Sequence, residues 1–121
     1  MKTPTEFVKE WMKTVCSNDV NAIISQYKED AVLLGTLDKK VRKGLDKIKE
    51  YFDFFVQLKP CGKITEIIEK DYGHIAVING AYDFDLVEDD KQILAPARFT
   101  FVLERVGITW KIQSHHSSKQ P

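Results

Sequence analysis

The C-terminal stretch of the sequence holds the residues best suited to chemistry. His115, His116, Ser117 and Ser118 follow one another at the end of a segment with the pattern of a β-strand. Successive side chains of a strand point to opposite faces, so His115 shares a face with Ser117. Only one face can line a cavity unless a β-bulge intervenes. A solvated strand end is the alternative interpretation, because polar residues are common near chain termini.

The histidines are poorly arranged for a metal site. The chain has three of them, His74, His115 and His116. A catalytic zinc ion needs three protein ligands at about 2.0–2.2 Å, and neighbouring residues of a strand diverge. The two cysteines, Cys16 and Cys61, form no CxxC motif. We therefore expect no metal and no cofactor, and a site built from carboxylates is the open alternative.

Arg98 is a charged residue within an apolar strand pattern. Alternation places it on the face opposite Phe99, and an arginine in such a strand needs a partner. Asp83 or Asp85 on the neighbouring strand could supply a structural ion pair. The functional alternative is a guanidinium group that holds a carboxylate or bicarbonate through two donors.

Three further hydroxyl groups lie in segments that are expected to form the core. Thr36 ends the first predicted strand, Tyr51 lies on the third helix, and Tyr82 lies in a long strand where it alternates in phase with Phe84. Each could be structural, since a buried tyrosine usually needs only one partner for its hydroxyl. Together they could also line a cavity.

The periodicity of the chain predicts the elements that position these residues. A capping box at Thr3 begins a helix that continues to Val15. A short helix follows between Val20 and Tyr27, a strand covers Ala31–Thr36, and a third helix covers Gly44–Lys59. Tight turns then separate four β segments, about Lys63–Lys70, His74–Val87, Gln92–Arg105 and Ile108–Ser118.

This order of elements predicts an α+β fold with residues 1–121 in a single domain. Three N-terminal helices would pack on a curved, mainly antiparallel sheet, which gives a cone-shaped roll. A sheet curved around helices leaves a cavity between them, and such cavities commonly bind small molecules.

Composition excludes several classes of function. The 18 basic and 18 acidic residues give a formal net charge of zero, so the basic surface typical of nucleic-acid binding is missing. No apolar run approaches the ~20 residues that span a bilayer, and the N-terminus lacks a signal peptide. We expect a cytoplasmic protein with reduced cysteines, no nucleic-acid partner and no membrane association.

Apolar residues on both faces of the predicted strands indicate an interface between copies of the chain. Ile75 and Val77 alternate with Ala76 and Ile78, and three short helices can cover only one face of the sheet. An exposed apolar patch of a few hundred Å² or more usually marks an interface. We therefore expect a homodimer formed through the face away from the helices.

The chain resembles the nuclear transport factor 2-like superfamily, including SnoaL-like enzymes, in its order of elements. Ala95-Pro96-Ala97-Arg98-Phe99-Thr100-Phe101 and Trp110-Lys111-Ile112 resemble the association domain of calcium/calmodulin-dependent protein kinase II. The ending His115-His116-Ser117-Ser118, together with Leu33-Leu34-Gly35-Thr36 and Tyr51-Phe52, most resembles the iota-class carbonic anhydrases.

The resemblance implies reversible hydration of carbon dioxide to bicarbonate without a metal. It implies that His115, Ser117, Tyr51 and Thr36 line the site and are catalytic. Since the unperturbed pKa of a histidine is about 6.5, we expect His115 to accept the proton of the attacking water, directly or through a chain of hydrogen bonds. We further predict that carbon dioxide, bicarbonate or a small carboxylate is bound by Arg98, Tyr82 and His116.

Two other classes of function stay open. One is a SnoaL-like enzyme that acts on a larger organic substrate, with His115 and an aspartate as acid and base. The other is a non-catalytic module for ligand binding or assembly. A tight polar cavity would favour carbon dioxide, and a wide apolar cavity would favour the larger substrate.

Overall fold

The computed structural model describes residues 2–121 and arranges them as helices covering one face of a curved sheet. The helices are α1 (Pro4–Cys16), α2 (Val20–Ile24) and α3 (Leu45–Phe55), and a short 3-10 turn (Val56–Leu58) follows α3. The strands are β1 (Tyr27–Leu34), β2 (Arg42–Lys43), β3 (Cys61–Asp71), β4 (Ile75–Glu88), β5 (Lys91–Val106) and β6 (Thr109–Lys119). The predicted α+β roll is confirmed, with the two-residue β2 as an addition.

Helix α1 begins at the predicted capping box. The Glu6 amide donates to Thr3 Oγ1 at 3.1 Å, and the Thr3 amide donates to Glu6 Oε1 at 2.9 Å. These two bonds satisfy amides that the first helical turn leaves without a partner. The apolar stripe of α1, which includes Trp11 and Val15, is buried. None of the helices within residues 2–121 has the length and apolar character needed to cross a bilayer.

The sheet has the strand order β2-β1-β6-β5-β4-β3. Strands β3 to β6 form an antiparallel meander, whereas β1 joins it by pairing in parallel with β6. This parallel pairing aligns Leu33 with His115 and Leu34 with His116. The loop after β1, which contains Thr36, therefore lies beside the functional end of β6.

Several predicted boundaries differ from the structure. The first strand was predicted over Ala31–Thr36 and covers Tyr27–Leu34, so Thr36 lies in the loop that follows it. Tyr27 belongs to β1 rather than to the second helix, because its backbone pairs with Ile112 in the sheet. The third helix ends at Phe55 rather than at Lys59, and Lys59 adopts a left-handed conformation with φ of 49°. The left-handed residue Lys59 ends the 3-10 turn, and β3 begins two residues later at Cys61.

Cys16 and Cys61 form a disulfide, so the expectation of reduced thiols is wrong. The two residues are 45 positions apart in sequence, yet their Cα atoms are 4.3 Å apart because the end of α1 packs against the start of β3. Spacing along the chain could not reveal this contact. Disulfides are rare in a reducing cytosol, and the bond therefore weighs against the predicted cytoplasmic location.

Candidate active site

A small cavity lies between the helices and the inner face of the sheet. Its volume is about 10 Å³, close to the minimum that one water molecule needs. Apolar and aromatic side chains form most of its wall. The hydroxyl and imidazole groups that reach it belong to Thr36, Tyr51, Tyr82, His115 and Ser117. These five residues were all predicted to act at one site, and the fold brings them together.

A β-bulge in β6 turns His115 and Ser117 toward this cavity. Ile112 faces the core, so strict alternation from it would place His116 inside as well. The pairing of β6 with β5 instead skips Gln113, and this extra residue reverses the alternation. His115 and Ser117 are buried as a result, whereas His116 is exposed. The prediction that His115 and Ser117 share the inward face is confirmed.

His115 is held by hydroxyl groups on both of its ring nitrogens. Tyr27 Oη lies 3.0 Å from Nδ1, and Tyr82 Oη lies 3.2 Å from Nε2. Trp11 Nε1 in turn donates to Tyr27 Oη at 3.2 Å. The imidazole also stacks on Phe101 with ring centroids 3.9 Å apart. The ring is therefore held in one orientation by polar contacts in its plane and by packing on its face.

The polar contacts continue from His115 to the solvent side of the cavity. Tyr82 Oη donates to Ser117 Oγ at 2.6 Å, and the Ser117 hydroxyl is hydrogen bonded to that of Thr36. Thr36 and the neighbouring Gly35 are half-buried, whereas the other residues of this hydrogen-bonded series are buried. We call the series Trp11–Tyr27–His115–Tyr82–Ser117–Thr36 the polar chain.

Burial keeps the polar chain uncharged near neutral pH. It lowers the pKa of His115 to about 3, and electrostatic interaction with the neighbouring His116 acts in the same direction. Burial likewise raises the pKa of Tyr82 and of Tyr27 far above the usual value of a phenol. The imidazole is therefore neutral, and both tyrosines keep their protons.

Tyr51 closes another side of the cavity through close packing on Gly35. A Cβ atom at Gly35 would lie only 2.6 Å from Tyr51 Cζ, so a side chain there would displace the ring. Burial raises the pKa of Tyr51, while hydrogen bonding to the backbone of Leu37 and Thr36 acts in the opposite direction. Tyr51 therefore presents a protonated hydroxyl beside Thr36.

Arg98 and His116 lie outside this cavity, whereas Tyr82 lines it. They lie on the opposite face of the sheet, where they line a shallow depression of about 280 Å³ with Ser118 and Thr100. The reason is strand alternation, since Phe99 and Ser117 take the inward positions beside them. A single substrate site containing Arg98, His116 and Tyr82 is therefore inconsistent with the structure.

The structural partner expected for Arg98 is also missing. Within residues 2–121, Arg98 forms no ion pair with Asp83, with Asp85 or with any other acidic residue. The same part of the chain brings together no three His, Cys, Asp or Glu side chains that could hold a metal ion.

Sequence reasoning missed two members of the polar chain, Trp11 and Tyr27. Trp11 fits the apolar stripe of α1, and Tyr27 was assigned to a helix. Neither position carries a local signal of function, because its polar partner is distant along the chain. Tyr27 and its partner His115, for example, are 88 residues apart.

The fold and this cavity define a class of protein: a cone-shaped α+β domain with a polar site at its centre. Comparison with protein families gives a match to the SnoaL-like domain over residues 5–121, and the chain belongs to that family. A comparison with curated proteins gave no match.

Several solved structures are similar to the chain in fold. A Xanthomonas campestris protein, assigned as a calcium/calmodulin-dependent protein kinase II association domain, is 32% identical with a TM-score of 0.88, over 93% of this chain and 81% of that one. The kinase hub of S. rosetta is 20% identical with a TM-score of 0.82, over 99% of both chains. The epoxide hydrolase/cyclase-like enzyme SalBIII of salinomycin formation is 22% identical with a TM-score of 0.71, over 96% and 89%. At these lower identities the likeness concerns the fold alone.

Proposed function

We propose that this chain catalyses the reversible hydration of carbon dioxide to bicarbonate. The observation that carries the proposal is the size and lining of the cavity. The enclosed part of the cavity holds about one water molecule, so a substrate of very few atoms would bind at its half-buried mouth beside Thr36, where the hydroxyl groups of Thr36, Tyr51 and Ser117 meet. A larger organic substrate of the SnoaL-like kind would need more space than this cavity offers.

In the proposed reaction, a water oxygen attacks the carbon of carbon dioxide and one proton is released to solvent. The products are bicarbonate and that proton, so the atoms balance. Negative charge develops on the oxygens of the substrate, and protonated hydroxyls of Thr36 and Tyr51 stabilise it by hydrogen bonds. The groups that meet at the cavity are hydroxyls and an imidazole, and the proposal therefore uses no metal ion.

The role proposed for His115 changes from proton acceptor to orienting group. A base with a pKa of about 3 takes up a proton poorly at neutral pH. Both ring nitrogens of His115 are also occupied by tyrosine hydroxyls. The imidazole therefore aligns Tyr82 and, through it, Ser117, while the released proton leaves at the solvent side of the cavity.

Replacement of Ser117 is expected to reduce activity on carbon dioxide strongly. Ser117→Ala interrupts the polar chain between Tyr82 and Thr36, and loss of one oriented donor commonly costs about 100-fold in turnover. Ser118→Ala is the matched control, since its side chain lies on the outer face. A stopped-flow assay with a pH indicator measures both variants.

The same assay tests the proposed function itself. We expect hydration above the buffer blank, unchanged after treatment with a strong chelator. Wild-type activity equal to the blank would rule out the enzyme. Equal losses in Ser117→Ala and Ser118→Ala would remove the cavity from the mechanism.

We also infer that two copies of the chain pair through the outer face of the sheet. Val77 lies opposite Val102 there, and Ile68 on β3 is 50% exposed. Covering about 800 Å² of each partner would be typical of a stable pair.

Light scattering at micromolar concentration is expected to give twice the chain mass of 14.0 kDa. Val102→Lys should shift the protein to the monomer, because a buried unpaired ammonium group disfavours the interface. Ile108→Lys is the control, since Ile108 is 83% exposed in the turn between β5 and β6. A wild-type monomer would refute the dimer, and a much larger mass would indicate a ring.

A further inference from the structure

The polar chain begins at a group that can only donate. The indole Nε1 of Trp11 has a hydrogen and no acceptor lone pair, and it points at Tyr27 Oη. Tyr27 oxygen therefore accepts this bond, and its own hydrogen needs another partner. Within residues 2–121, the other polar atom in contact with this hydroxyl is His115 Nδ1, at 3.0 Å.

The direction of each following bond is then determined. A neutral imidazole accepts at one nitrogen and donates from the other, so His115 donates from Nε2 to Tyr82. The Tyr82 hydrogen is left for Ser117, in agreement with the geometry of that bond. Ser117 then donates to Thr36, and the hydrogen of Thr36 remains free at the cavity.

We propose that Trp11 is a positioning residue that sets the direction of the whole polar chain, so that Thr36 offers its hydrogen to an acceptor oxygen of a small anion. The ligand class is a carboxylate or bicarbonate. The inference rests on the proposed function in that it names the kind of group the same cavity receives.

The reverse direction leaves a buried hydroxyl unsatisfied. If His115 carried its hydrogen on Nδ1, both this group and Trp11 would donate to Tyr27. The Tyr27 hydrogen would then have no acceptor at a position that is 3% exposed, which is unfavourable. Because the indole of Trp11 releases no proton, the polar chain ends at this residue. The polar chain therefore orients the groups at the cavity and does not conduct protons out of it.

Formate is a suitable probe, since it has the acceptor oxygens of bicarbonate and no reaction to undergo. We expect wild-type protein to bind formate in an NMR titration and Thr36→Val to lose this binding. Trp11→Phe should bind about tenfold more weakly, the size of effect expected from one misdirected hydrogen bond. Trp110→Phe is the matched control and should bind as wild type, since Trp110 Nε1 donates to the Lys2 carbonyl away from the cavity.

Nitrogen-15 NMR of the His115 ring gives a second readout, which does not depend on enzymatic activity. His115 should show a single neutral form with the hydrogen on Nε2, and Trp11→Phe should show a mixture of the two forms. An Nδ1-bound hydrogen in the wild type overturns the inference even if no variant folds. Equal formate affinity in Trp11→Phe and wild type overturns it as well. Formate binding that depends on Trp11, in a protein without hydration activity, supports the inference and overturns the proposed function.

Discussion

Acidification from pH 6.5 to pH 4 is expected to destabilise the wild-type protein by about 3 kcal/mol more than a His115→Gln variant. The pKa of His115 is lowered from 6.5 to about 3 in the folded protein. Between these values the unfolded chain binds one more proton than the folded chain. The stabilisation is complete above pH 6.5 and declines by about 1.4 kcal/mol for each pH unit below it.

Urea unfolding of both proteins at several pH values measures this difference. His74→Gln is the control for replacing a histidine at an exposed position, since the His74 side chain is 73% exposed. Carboxylates also take up protons in this range, but they contribute equally to each variant and cancel in the comparison. The expectation is wrong if the wild type and His115→Gln lose stability in parallel. An NMR titration of wild-type His115 near 6.5 would contradict it too.

Gly80→Ala is expected to lower the free energy of unfolding by about 3 kcal/mol, and the melting temperature by roughly 10 °C. A register shift in β3 between Ile64 and Glu66 brings the Glu66 carbonyl over Gly80. A Cβ atom at Gly80 would overlap that oxygen and lie 2.8 Å from Phe99 Cζ. The obstructing carbonyl is backbone within a paired strand, so it can move only if the pairing of β3 with β4 is disturbed.

Gly107→Ala separates this packing effect from the general cost of replacing glycine. Nothing lies within 4 Å of a Cβ atom at Gly107, and its φ of 63° alone makes alanine unfavourable there. Its expected cost is about 1 kcal/mol. Calorimetry of the two variants compares them directly, and equal losses would show that the contact between β3 and Gly80 is not the cause.

The sequence by itself determined the architecture of this protein. The capping box at Thr3, the helical spacing from Phe7 to Val15 and the turns between alternating segments are local signals. They act through backbone geometry and through the burial of one face, and both are written in residues close along the chain. The α+β cone and the hydroxyl-bearing end of β6 could therefore be predicted.

The tertiary structure decided which polar residues meet. The extra residue Gln113 reverses the alternation of β6, and a bulge depends on the pairing partner rather than on local preference. Tyr27 contacts His115 only because β1 pairs in parallel with β6, and Cys16 reaches Cys61 only because α1 packs on β3. Burial then determines their chemistry, since an imidazole enclosed by aromatic rings loses its charge for want of solvation. Spacing along the chain contains neither the pairing of distant segments nor the loss of water around a side chain, and it could not predict either.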